Sequence, residues 1–215
     1  MIGMTRRAMT LLFVASAMTA GAAAAQTAPT PAAPAPAVET IRLRGTIDSM
    51  SAESLELTTR GGSAVHVQLN GGVRVTHIVK SALENIQPGS YIGSAAAPQA
   101  DGTLRALEVH IFPPSMRGAG EGNRPWDLGG EGASMTNGTV GSLVSASGRV
   151  ATVKYGNDEK QILIPDDAPI VAFEPADASA LKAGAKVVVV GRPVTDGAVT
   201  AISINVGKDG LVPPM

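Results

Sequence analysis

The 215-residue chain contains no cysteine. That excludes disulfides, thiolate metal sites, cysteine nucleophiles and acylation of an N-terminal cysteine. Aromatic residues make up only 3% of a chain that is 44% hydrophobic. The core must therefore be built from Val, Ile, Leu and Ala, with few rings for stacking bases or sugars. No block of like charge exists either: the formal charge is −1, and beyond residue 25 there are 15 basic against 18 acidic side chains. Such a surface gives no electrostatic footing for nucleic acid or anionic lipid.

The first 25 residues have the three parts of a secretory leader. Arg6 and Arg7 precede an apolar stretch from Ala8 to Ala20, and the Ala22–Ala25 run offers small residues for cleavage just before Gln26. The stretch is short for a bilayer span, which needs about 20 residues. The paired arginines also fit a twin-arginine leader loosely; the ordinary secretory route is the reading adopted. Residues 26–40 follow as a tether, with four prolines among Pro29–Pro36 that favour extended backbone. The expectation is a periplasmic protein with its leader removed and no remaining membrane span.

The rest of the chain repeats itself. "RGTIDSM" at 44–50 returns as "NGTVGSL" at 137–143, and beyond these segments one offset of 95 residues aligns the remainder of the two copies. "LENIQPGSYIG" at 83–93 meets "ASALKAGAKVV" at 178–188, and "DGTLRALEVHI" at 101–111 meets "DGAVTAISINV" at 196–206. The identities Gly45/Gly138, Gly89/Gly184 and Asp101-Gly102/Asp196-Gly197 suggest demanding turns. Within each copy apolar residues alternate with polar ones, as in Val65-His66-Val67 and Leu107-Glu108-Val109-His110-Ile111. Each copy thus predicts five or six short strands with one helical turn. The fold class expected is all-β: two tandem small OB-like β-barrels at 41–111 and 136–208, with a single β-sandwich built from both copies as the alternative. A Gly/Pro/Trp strap at 112–135 joins them, and 209–215 is a tail.

Both copies resemble a family of exported bacterial β domains, the domain of unknown function five-six-six-six, often found in tandem behind a leader and a Pro/Ala-rich tether. "LKAGAKVVVVGRPVTDGAVTAISINV" carries the likeness best; the first copy departs from it with Tyr91-Ile92-Gly93-Ser94 in place of a longer valine run. The strap, with Pro125-Trp126-Asp127 and Met135-Thr136-Asn137-Gly138, is similar to that of α-proteobacterial members. The resemblance implies a fold and a compartment and supplies no catalytic residue.

Candidate chemistry is thin. Gly118, Gly120 and Gly122 alternate without the spacing or following helix of a phosphate loop. Asp166-Asp167 and Asp158-Glu159 are adjacent acids of the kind that form turns, and no GxSxG elbow accompanies the serines. The methionines Met50, Met116, Met135 and Met215 are dispersed along the chain. The metal candidates are His66, Glu108 and His110, which by strand alternation point away from the core as surface residues. No cofactor is expected.

The expected site is Trp126, the only tryptophan, with Arg117, Arg124 and Asp127. It reads either as a plug over the seam between the two units or as an anchor for a partner. The function expected is a non-enzymatic binding or scaffolding module of the cell envelope, for an envelope protein or small ligand. An accessory to metal handling or transport is one alternative, and an enzyme with a site between the units is another.

Overall fold

A computed structural model of the chain describes residues 39–144 and 149–215. The leader at 1–25 and nearly all of the tether lie outside the described residues. The first copy forms β1 (Ile41–Met50), β2 (Ser54–Thr59), β3 (Ala64–Gln68), β4 (Arg74–Lys80), β5 (Tyr91–Pro98) and β6 (Leu104–Ile111). The strap contributes β7 (Gly122–Pro125). The second copy forms β8 (Ser134–Val144), β9 (Val150–Tyr155), β10 (Asp158–Leu163), β11 (Ile170–Pro175), β12 (Lys186–Pro193) and β13 (Val199–Gly207). The chain is all-β, and its helical elements are short 3₁₀ turns.

The 95-residue register is visible in these bounds. β5 and β12 start and end 95 residues apart, as do the turns Leu83–Asn85 and Ala178–Ala180. Register shifts recur at matching places: Ile47/Ser49 against Val140/Ser142, and Ala95/Ala96 against Val190/Gly191. The shared glycines have two physical causes. Gly89 and Gly184 take φ of 87° and 83°, a region costly for residues with a Cβ. Gly45 and Gly138 instead sit where a Cβ would lie 2.2 Å from the Thr58 carbonyl oxygen and 2.3 Å from that of Lys154.

The pairing departs from a tandem of two self-contained barrels. All thirteen strands belong to one mixed sheet. β1 pairs not with β5 of its own copy but with β12, and β8 pairs with β5. Five strands, β13-β12-β1-β2-β3, return on themselves through a short parallel β3–β13 pairing. The other five, β6-β5-β8-β9-β10, return through the equivalent β6–β10 pairing. Each ring of pairings therefore takes three strands from one copy and a hairpin from the other. The hydrophobic pattern cannot choose between the two arrangements, because both copies offer the same faces in the same register.

Each ring encloses its own core. Ile47, Leu57, Val67, Val187 and Ile204 fill the first, with Leu181 entering just after its 3₁₀ turn. Ile92, Val109, Val140, Val153 and Ile162 fill the second, with Ile86 in the equivalent place. Between the rings runs β13-β4-β11-β6. There β4 and β11 pair antiparallel with Ile78 opposite Phe173, two residues 95 apart in the chain. The pseudo-twofold axis of the molecule passes through that pair. A third cluster covers it, made of Ile78, Phe173, Trp126, Met135, Val188 and Met215 with their neighbours.

Candidate functional site

The strap is ordered by its own hydrogen bonds. After β6 a 3₁₀ turn at Pro114–Met116 redirects the chain, and Gly118, Gly120 and Gly122 adopt positive φ. β7 then pairs antiparallel with the start of β8, from Gly122↔Asn137 to Pro125↔Ser134. The Trp126 N–H donates to the Ala133 carbonyl, 2.9 Å, and closes the hairpin. The strap's last residues are thus the first of β8.

Trp126 is 9% exposed and packs in the central cluster. Its ring lies under two guanidiniums of β1, with Arg42 Cζ 4.7 Å and Arg44 Cζ 5.6 Å from its centroid. Arg44 donates to both carboxylate oxygens of Asp127, at 2.7 and 2.9 Å. That hydrogen bond, followed by the arginine's charge, holds the Asp127 carboxyl below the usual carboxylate range. Arg124 donates to the Gly120 carbonyl, and its pKa is lowered first by burial and then by Arg42. Arg117 donates to the Thr139 hydroxyl and the Gly89 carbonyl and so braces the strap against β8. The four residues named from the sequence therefore divide: Trp126 and Arg124 share a cavity, Asp127 clamps β1, and Arg117 is a brace.

The cavity, about 290 Å³, lies against the axis. Trp126, Phe112, Phe173 and Met135 form apolar parts of its lining, and Arg42, Arg74 and Arg124 are its charged lining residues. Phe112 stacks on Phe173 with centroids 4.8 Å apart, and Tyr91 lies 5.4 Å from Phe112. Aromatics dispersed along the sequence are thus gathered here. The methionines behave likewise, since Met116, Met135 and Met215 all line the cavity. Three buried side-chain atoms of lining residues have no hydrogen-bond partner among the described residues: Trp126 Nε1, His110 Nε2 and Asn137 Oδ1. Four larger clefts, about 610 Å³ beside His66, 570 Å³ beside Lys182, 490 Å³ beside Val79 and 400 Å³ beside Val73, hold only one such atom among their lining residues, His77 Nδ1.

Glu108 and His110 overturn the expectation of a surface position. Alternation correctly sets them out of phase with Val109, but both are only 3% exposed. The face of β6 opposite the ring core is covered by the seam, and His110 lies edge-on to Phe173 at 5.9 Å. His110 Nε2 is 3.4 Å from Glu108 Oε1. His66 does sit at the surface, paired with Glu56 at 2.7 Å, and does not join them. Among the described residues no three His, Cys, Asp or Glu side chains cluster in a way that could hold a metal ion.

Sequence reasoning missed Arg42 and Arg74, and it named residues 209–215 as a tail without placing them on the seam. Residues 208–215 turn back after β13 through a 3₁₀ turn at Lys208–Gly210, as Pro114–Met116 does after β6. Leu211, 95 residues beyond Met116, packs like it on the central cluster. Arg60 donates to the Pro213 carbonyl at 2.5 Å, and Met215 is buried. One signal was available: at the residues out of phase with the core, the copies differ where the cavity forms. Arg42 answers to Met135, Arg44 to Asn137, Glu108 to Ser203 and His110 to Asn205. Gly93, the departure from the expected valine run, answers to Val188. A Cβ there would lie 2.6 Å from Asn137 Oδ1 and 3.1 Å from Phe112 Cε2.

Compared with family models, curated proteins and solved structures, the chain matches none. No helix among the described residues is long and apolar enough to cross a membrane.

Proposed function

We propose that the protein is an exported, non-enzymatic binding module of the bacterial cell envelope, and that the cavity at the seam is its ligand position. The leader, the tether and the likeness to the exported β-domain family support the compartment. The two rings read as small OB-like barrels that have exchanged hairpins, with the cavity between them.

One observation carries the choice of site. Trp126 Nε1 and Asn137 Oδ1 are buried without hydrogen-bond partners on residues that line a single cavity, and each such atom costs about 1–3 kcal/mol unless something satisfies it. A ligand with polar groups would do so. The test is thermal unfolding of the mature chain with size-fractionated extract of the envelope. At least one low-mass fraction should raise the melting temperature of the native protein and raise that of Trp126→Phe less. If no fraction stabilises the native protein, the reading fails.

A second reading, an accessory to soft-metal handling, is favoured by the meeting of Met116, Met135 and Met215 with His110, since thioethers suit monovalent copper. The arginines around the same space weigh against a cation.

A further inference from the structure

We infer that the seam cavity takes a small organic acid, its carboxylate held by Arg42, Arg74 and Arg124 and its apolar body lying among Phe112, Phe173 and Met135. This rests on the cavity being the ligand position and adds what kind of ligand it selects.

The charge arrangement is the first ground. Three arginines line the cavity and no Asp or Glu does. None of the three has a carboxylate partner among the described residues, whereas Arg44, Arg105 and Arg149 are each paired with one. Arg42 and Arg124 line the same space, and the charge of Arg42 adds to the effect of burial in disfavouring that of Arg124. An anion between them removes that repulsion, and the guanidinium fork matches a carboxylate in two hydrogen bonds. A cavity whose charged lining residues are all arginines is arranged for an anion and against Cu(I) or an amine.

The second ground is the unused hydrogen-bonding inventory. Trp126 Nε1 can only donate, and an acid supplies an acceptor. Asn137 Oδ1 can only accept, so a ligand that reached it would bring a donor such as a hydroxyl or its own acid proton. His110 Nε2 faces Glu108 Oε1 at 3.4 Å and is not counted among the groups left for a ligand.

The third ground is the apolar wall. The stacked Phe112–Phe173 pair and Met135 offer no polar atoms beyond weak sulfur acceptors. Inorganic phosphate or sulfate would leave that wall dry and unfilled. At about 290 Å³ the space is at the small end of ligand cavities and suits one ring or a short chain.

Trp126 is the only tryptophan in the chain, so its fluorescence reports on this cavity alone. Mature protein would be titrated with benzoate, 4-hydroxybenzoate and octanoate, with benzamide and octanamide as uncharged counterparts, and with inorganic phosphate and Cu(I) separately. At least one carboxylate should give a saturable change, with its amide bound about tenfold more weakly or worse, as loss of a charged hydrogen-bonding partner predicts. Arg42→Gln and Arg124→Gln should each weaken the carboxylate by about the same factor while unfolding at nearly the native temperature. Arg192→Gln, outside the cavity, should change nothing. Equal binding of acid and amide would overturn the headgroup assignment and leave the binding reading standing. Saturation by phosphate as tight as by any carboxylate would make the site one for an adventitious ion only. Cu(I) binding with all carboxylates silent would replace the inference by the metal reading. Silence of every probe overturns the inference; if the envelope fractions are silent too, the binding reading falls with it.

Discussion

β6 and β13 are equivalent strands, and the segments that leave them make a natural experiment. Both turn through a short 3₁₀ element and lay an apolar residue, Met116 or Leu211, on the central cluster. After β13 the chain lays Leu211 and the buried Met215 directly on that cluster. After β6 it continues into a hairpin that adds Trp126, two hydrogen bonds between Arg44 and Asp127, and a cavity wall. The duplicated frame thus dictates where the chain goes, and the unduplicated residues dictate what the seam can hold. Residues facing the ring cores stay apolar in both copies. Those facing the seam have diverged in charge and size.

The largest test cuts the chain between the copies. Residues 41–111 and 112–215 made as separate chains each lack the hairpin that closes a ring with their own β1 or β8. Neither fragment should unfold cooperatively alone, and mixing should restore a single cooperative transition. Cooperative unfolding of 41–111 by itself would show that β1 can pair with β5 of its own copy, and the comparison of exchanged rings would collapse.

Next come the two exits. Trp126→Ala removes a buried indole from the centre of the seam and should cost about 3–5 kcal/mol by denaturant titration. Ending the chain before Leu211 removes Leu211, Met215 and the acceptor for Arg60, all nearer the rim, and should cost about 2 kcal/mol. A larger loss from the truncation would reverse the ranking of strap and tail. Gly93→Val, which makes the first copy like the second, should cost about 1–3 kcal/mol by overpacking against Asn137 and Phe112 and should shrink the cavity. A neutral result there would mean the glycine does not make the room ascribed to it.

Legibility in the sequence divides along the same line. The 95-residue register, the strands and the turns were readable because inward-facing positions obey a period of two and their turns need glycine. The exchange of hairpins was not, because Val187 and Ile92 are equally good partners for Gly45 in an apolar pattern. The burial of Glu108 and His110 was misread for a related reason: alternation says which face a side chain takes, not whether another layer covers that face. Trp126 stood out by its rarity, whereas Arg42 and Arg74 looked like ordinary surface charges. The convergence of Phe112, Phe173 and the methionines depends on pairings between strands far apart in the chain, which local patterns do not carry.

The smallest effect concerns how the strap is fastened to β1. Arg44 is nearly buried, but the Asp127 carboxylate is 51% exposed, so solvent screens much of their attraction. Asp127→Asn keeps an acceptor for one guanidinium hydrogen bond and loses the charge, and should cost about 1 kcal/mol or less at pH 7. The sign of the pH dependence is set by the lowered carboxyl pKa. Its contribution is complete above the unfolded value of about 4 and is lost as pH falls through the lower folded value. The stability difference between native and Asp127→Asn proteins should therefore be constant from pH 7 to about 5 and close towards pH 2. Carboxylates common to both proteins cancel in that difference, provided that the variant leaves their surroundings unchanged. A gap that persisted at pH 2 would mean that the substituted amide disturbs the strap by its shape, and the Arg44 clamp would then owe little to charge.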